Sequence, residues 1–212
     1  MKIGITRFPG TNCDYDIWSF VQELGHQPVW LWHDNNFEIS DIDAVVIPGG
    51  FSYGDYLRCG ALAAKSSVMN SVRQFSDFGG PVLGICNGFQ ILCESGLLPG
   101  VLMKNESLHF QDEWVDLKVQ NVNPYFGKSL TSTAQLHLPI AHGEGRFFAD
   151  SDSFKKIEDQ GQIWLSYSQN PNGSLGDIAG ITNQKKNVAG LMPHPERALW
   201  DWAGGVDGRS FL

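Results

Sequence analysis

The chain has 212 residues, 42% of them hydrophobic, and a formal net charge of −8, which is enough chain for one sizeable core and points to one domain over residues 1–212. The acidic balance and the lack of a basic stripe exclude nucleic acid as an expected partner. No apolar run reaches membrane-spanning length, and the N-terminus opens as a strand with no signal-peptide block, so a cytoplasmic location is the expectation.

Lys2 to Thr6 reads as a strand, followed by a turn over Arg7-Phe8-Pro9-Gly10-Thr11-Asn12. Asn12 or Asp14 is placed to cap a helix with Ile17, Trp18, Val21 and Leu24 on its apolar face, ended by Gly25. Pro28 to Trp32 is the next strand, and the polar stretch Asp34 to Asp43 reads as a loop. Ala44-Val45-Val46-Ile47 is a buried strand that runs into the Gly-rich loop Pro48 to Asp55. Leu62 to Phe78 carries helical periodicity, broken near Ser66-Ser67. Val82 to Ile85 is a further buried strand, and a helix starts at about Phe89. Strands alternating with helices predict an α/β fold: an open, mostly parallel twisted sheet with helices on both faces. Active sites on such sheets lie at the carboxyl ends of the strands.

Beyond Leu98-Pro99-Gly100 the pattern becomes more antiparallel. Trp114 to Val119 and the neighbours of Ile140 alternate in the β manner, and Ser151 to Asp159 reads as a short helix. Ile163 to Tyr167 is a strand, Asn170 to Ser174 a turn, and Ile178 to Thr182 with Val188 to Met192 a hairpin. The chain then passes through Pro193-His194-Pro195-Glu196-Arg197.

Between the strand ending at Ile85 and the following helix sits Gly84-Ile85-Cys86-Asn87-Gly88, a nucleophile-elbow pattern with Cys as the nucleophile. Glycines fit where a tight strand-to-helix turn crowds its neighbours. A helix N-terminus beneath the sulfur favours negative charge there. The other three cysteines, Cys13, Cys59 and Cys93, form no C-x-x-C pair with it or with each other, so free thiols are expected. A Cys nucleophile needs a base and a group to orient that base. Of the six His, His194 is held between two prolines with Glu196 two residues on, and an extended chain places i and i+2 on one face. Gly49-Gly50 beside the elbow offers an open backbone N–H, and Asn87 N–H offers another; together they make a candidate oxyanion hole. No metal is expected, since neither H-E-x-x-H nor the P-C-x-x-C of zinc deaminases is present.

Pro48-Gly49-Gly50, Gly84 to Gln90 and Pro193-His194-Pro195-Glu196 resemble the three blocks of the class I (Cys-His-Glu) glutamine amidotransferases. Five longer blocks make the resemblance narrower: Phe8 to Asp14, Gly49 to Gly60, Ala141-His142-Gly143-Glu144-Gly145, Asp177 to Gly180 and Met192 to Arg197. Together they are similar to the family of glutaminase subunits of phosphoribosylformylglycinamidine synthases, which serve purine biosynthesis. This resemblance implies that Cys86 attacks the carboxamide of glutamine and forms a thioester, and that His194 and Glu196 complete the triad. It also implies that Gly50 and Asn87 bind the oxyanion, and that Gln90, His142, Gly143 and Glu144 bind the rest of the glutamine. Further implications are a larger ATP-using synthetase subunit, a small third subunit, and ATP and Mg on the synthetase with no cofactor on this chain. Similar chains usually run on into a terminal helix after Asp207-Gly208, whereas this sequence reaches Leu212. Two other readings share these residues: a catalytically idle docking module on the same fold, and a Cys hydrolase or peptidase.

Overall fold

A computed structural model describes residues 1–212. The first half alternates β1 (Lys2–Arg7), α1 (Asp14–Glu23), β2 (Gln27–Trp32), β3 (Ala44–Ile47), α2 (Val68–Asp77), β4 (Val82–Ile85) and α3 (Asn87–Glu94). β3 and β4 are buried at every position, as expected of parallel strands covered on both faces, and Val and Ile fill them accordingly. The second half holds β5 (Val101–Met103), β6 (Gln111–Val119), β7 (Gln135–His142), β8 (Arg146–Phe148), α4 (Ser151–Asp159), β9 (Ile163–Tyr167), β10 (Ile178–Thr182) and β11 (Val188–Leu191).

Nine strands form one sheet in the order β2-β1-β3-β4-β11-β10-β9-β6-β7. The pairings from β2 to β11 are parallel, and those from β11 to β7 are antiparallel. The change of direction comes at the β10–β11 hairpin, where the chain re-enters the middle of the sheet. There β11 lies beside β4 in parallel, with Gly190 opposite Gly84 and Leu191 opposite Ile85. The carboxyl ends of β3, β4 and β11 therefore point the same way, and the chain leaves them at Pro48, Cys86 and Met192. A single cluster of 51 buried residues runs through both halves, so the parallel and antiparallel regions share one core.

Two details depart from the sequence expectations, and a third bears one out. Helix α1 is capped by Cys13 with no side-chain cap, and Asp14 is buried, its carboxylate 2.5 Å from Arg7 Nε. Asp14 stands one residue inside the helix, where its Oδ2 pairs with Arg7 while its Oδ1 accepts from Tyr15 N–H (2.8 Å) in the first turn. Leu62 to Phe78 is a 3₁₀ turn, Ala63–Lys65, followed by α2, so the expected break at Ser66-Ser67 is where the α-helix begins. Strands β5 and β8, three residues each, pair only with one another and are too short to show a period in sequence.

Candidate active site

Cys86 lies between the last residue of β4 and the first of α3, with φ 51° and ψ −106°. A non-glycine residue held there carries roughly 1–3 kcal/mol of strain. The surroundings hold it in place. Its N–H donates to Leu191 O of β11 (2.8 Å), and its own carbonyl accepts from Phe89 N–H (2.9 Å) and Gln90 N–H (3.2 Å). The flanking glycines are required by space. A Cβ on Gly84 would stand 2.6 Å from the backbone of Gly88, and one on Gly88 would stand 2.0 Å from Ile47 O. The helix can approach the sheet this closely only without those two carbons.

Leu191 runs beside Ile85, so the chain after β11 emerges next to the elbow. His194 N–H donates to Pro139 O of β7 (2.8 Å). Its Nδ1 lies 2.6 Å from Glu196 Oε1, with both side chains buried. The pair is made by a single 3₁₀ turn, Pro195–Arg197, with His194 at its cap, and not by the extended run the prolines suggest. A Cβ placed on Gly49 would lie 2.8 Å from His194 Cε1 and 3.4 Å from Cys86 Cβ. The His194 imidazole and the Cys86 side chain thus flank one point in space, which only a glycine leaves open. His194 Nε2 is buried with no hydrogen-bond partner. Burial lowers the His194 pKa, but the Glu196 carboxylate and negative charge on Cys86 outweigh it and raise the value to about 10.

These groups open onto a cavity of about 430 Å³ that also takes in Gly50, Gln90, His142, Gly143 and Glu144. Gly50 has φ +130°, and a Cβ there would strike Asn12. Neither Gly50 N–H nor Asn87 N–H donates to another group of the chain. The Asn87 side chain ties the Gly-rich loop to the elbow helix: its Oδ1 accepts from Ser52 N–H (3.2 Å), and its Nδ2 donates to Gln90 Oε1 (2.8 Å) and Asp55 Oδ1 (3.4 Å). Gln90 Nε2 donates to Glu144 O (2.6 Å), so both ends of its carboxamide are engaged within the protein. The His142 ring is likewise turned onto Asn105, with Nδ1 3.1 Å from Oδ1. Burial, and after it the charge of His194, holds the His142 pKa down to about 4.

The remaining thiols are shaped by their own surroundings. Burial, then the charge of Glu196, pushes the Cys13 thiol up to about 12. Burial, then Asp55, pushes up Cys59, and burial pushes up Cys93. All four cysteines are free. No group of three or more His, Cys, Asp or Glu side chains is arranged to hold a metal ion.

Residues 1–207 match the family described as the CobB/CobQ-like glutamine amidotransferase domain. The chain belongs to this family. It is similar to the phosphoribosylformylglycinamidine synthase subunit PurQ of Prochlorococcus marinus (strain NATL2A), with 52% identity over 100% of this chain and 98% of that protein. Among solved structures it resembles a chain of PurLQS from Thermotoga maritima, with TM-score 0.90, 39% identity, and 99% and 94% of the two chains covered. A glutamine amidotransferase from Thermotoga maritima shares the fold at TM-score 0.63 and 16% identity, over 93% of this chain and 77% of that one.

In this amidotransferase domain the cavity has further walls that sequence reasoning did not assign. Asp55, Cys59, Phe110, Asp112 and Arg197 line it, and Arg197 Nη2 reaches Cys13 Sγ at 3.1 Å. Asp55, Cys59 and Arg197 stand inside the family-like blocks of the sequence, so their positions were marked though not their place. Asn105 and Asn172, which hold His142, lie outside any block.

Proposed function

We propose that this chain, acting as one domain over residues 1–212, is the glutaminase subunit of a phosphoribosylformylglycinamidine synthase. It hydrolyses glutamine to glutamate and ammonia and passes the ammonia to a synthetase subunit. The observation that carries the chemistry is the Cys86 elbow facing the buried His194–Glu196 pair.

Cys86 attacks the side-chain carboxamide carbon of glutamine as the thiolate, forming a tetrahedral adduct. Gly50 and Asn87 N–H groups receive the developing oxyanion. His194, which holds its proton to about pH 10, gives that proton to the departing nitrogen. The C–N bond breaks, ammonia leaves, and a glutamyl thioester remains. His194 then takes a proton from water as the water attacks the thioester, releasing glutamate and restoring the sulfur. Glu196 keeps the imidazole in the required orientation and stabilises its charge.

Free ammonia is mostly protonated near neutral pH, and ammonium is not a nucleophile, so delivery inside a complex preserves its reactivity. The partners in this reading are a larger ATP-dependent synthetase subunit, which holds ATP and Mg and acts on formylglycinamide ribonucleotide, and a small third subunit. The free thiols fit a cytoplasmic location, and no helix is long and apolar enough to cross a membrane.

The test is Cys86→Ala in the assembled complex. Glutamine-dependent synthesis of formylglycinamidine ribonucleotide should be lost, while synthesis from ammonium salt at raised pH should persist. Glutamine consumption at the wild-type rate would refute Cys86 as nucleophile. Loss of both reactions in an intact complex would refute the division of labour.

A further inference from the structure

A buried polar cluster lies under the segment 141–145. Asn105, just after β5, has no exposed surface. Its Nδ2 donates to His109 O and His142 O, each at 2.9 Å. Its Oδ1 accepts from Gly145 N–H at 3.0 Å and from His142 Nδ1 at 3.1 Å. Its backbone N–H donates to Gly143 O (2.9 Å). From the other side, Asn172 Nδ2 donates to Gly145 O (3.0 Å) and faces His142 Nε2 at 3.5 Å.

The pattern fixes the tautomer of His142. Asn105 Oδ1 can only accept, so Nδ1 carries the hydrogen; Asn172 Nδ2 can only donate, so Nε2 is bare. A neutral ring satisfies both partners, and no ring nitrogen is left for a ligand. What the segment turns toward the cavity is different. Ala141 O lies 3.8 Å from Cys86 Sγ, Glu144 O receives Gln90 Nε2, and the Gly143 and Glu144 residues line the wall. Ala141 is held by its pairing with Asp112 of β6, whereas the Glu144 carbonyl and the Gly143–Glu144 wall depend on where residues 142 to 145 are pinned.

We infer that Asn105, acting through His142 and Gly145, is a positioning residue for glutamine recognition, and that the His142 side chain is a clamp on the segment and not a contact to the substrate. The inference rests on the glutaminase reading above. Loss of the clamp should impair recognition of the amino-acid end of glutamine while leaving the nucleophile in place, since Cys86 is held separately by Leu191 and α3.

The experiment compares Asn105→Ala and Asn105→Asp with the wild-type chain in the assembled complex. Asn105→Asp is isosteric and keeps the two acceptor contacts, but loses the donors to His109 O and His142 O. Cys86 is labelled in parallel by a glutamine-shaped chloroketone and by iodoacetamide, and KM for glutamine is measured. Labelling by the chloroketone should slow by about tenfold and KM should rise by a similar factor, as for loss of a buried hydrogen bond. Iodoacetamide labelling and ammonia-dependent synthesis should stay within about twofold of wild type, because neither uses the recognition segment. Unchanged chloroketone labelling would overturn the inference. So would a parallel fall in both reagents, which would mark Asn105 as a merely structural residue. If Asn105→Ala does not fold, Asn105→Asp alone decides. A wild-type complex that neither takes the chloroketone nor consumes glutamine would instead overturn the glutaminase reading, and this inference with it.

Discussion

A His142→Gln variant should tolerate mild acid better than the wild-type chain does, relative to the stability of each at neutral pH. In the unfolded chain the His142 ring takes up a proton as the pH falls through its ordinary 6.5. In the folded chain burial, and after it the charge of His194, delays that uptake to about pH 4. Between those values the unfolded state binds more protons than the native state, so stability falls as the pH falls. The full separation corresponds to an effect on the order of 3 kcal/mol, of which about 2 kcal/mol is lost between pH 7 and pH 5. His194 acts in a different window. Its raised pKa gives stability that is fully present below pH 6.5 and is lost as the pH rises toward 10, and this contribution is common to both proteins and cancels in their difference. The assay is urea unfolding of wild type and variant at pH 7 and pH 5. The stability gap between them should narrow by about 2 kcal/mol at pH 5. A gap of the same size at both pH values would refute the picture of a buried, neutral His142.

Glu196→Gln should lower glutaminase kcat by about 10⁴-fold, less than the loss of roughly 10⁶-fold from removing a nucleophile; single-turnover kinetics on the complex would check the order. Gly88→Ala should destabilise the fold by about 3 kcal/mol or prevent soluble expression, because its Cβ would stand 2.0 Å from Ile47 O; thermal unfolding measures this, and a wild-type midpoint would contradict it. Cys86 should alkylate before the other thiols near neutral pH, since burial and nearby carboxylates push up Cys13, Cys59 and Cys93. Peptide mapping after brief iodoacetamide treatment reads the order, and Cys13 or Cys59 leading would count against it.

Much of the parallel half could be read directly from sequence because its signals are local. Continuous apolar runs such as Ala44–Ile47 and Val82–Ile85 need no distant partner to be recognised as buried strands, and the Gly84–Gly88 elbow fits within five residues. The proposed triad was also partly local, since His194 and Glu196 are two residues apart, although the 3₁₀ turn that joins them was not visible. The Asn105–His142–Asn172 cluster was not legible, because it depends on three segments brought together by β5, β7 and the Asn170–Ser174 turn. An Asn before a turn looks like any other Asn. Asp14 shows the same limit: as a helix-first-turn acid it reads as a cap, and only the neighbouring strand end shows that its second oxygen pairs with Arg7.

The order of the strands in the sheet has a bearing on synthesis. β11, made last, takes a central place between β4 and β10, and it alone carries Leu191 O to the Cys86 N–H and leads into His194. Until β11 and the segment after it leave the ribosome, in a process slow on the folding timescale, Cys86 has neither its Leu191 anchor nor His194 beside it. Over the same interval the bare side of β4, Val82 to Ile85, offers unpaired backbone to any neighbouring strand. The strand order thus delays assembly of the Cys86–His194 pair until β11 is in place, and until then crowded nascent chains can associate through that edge.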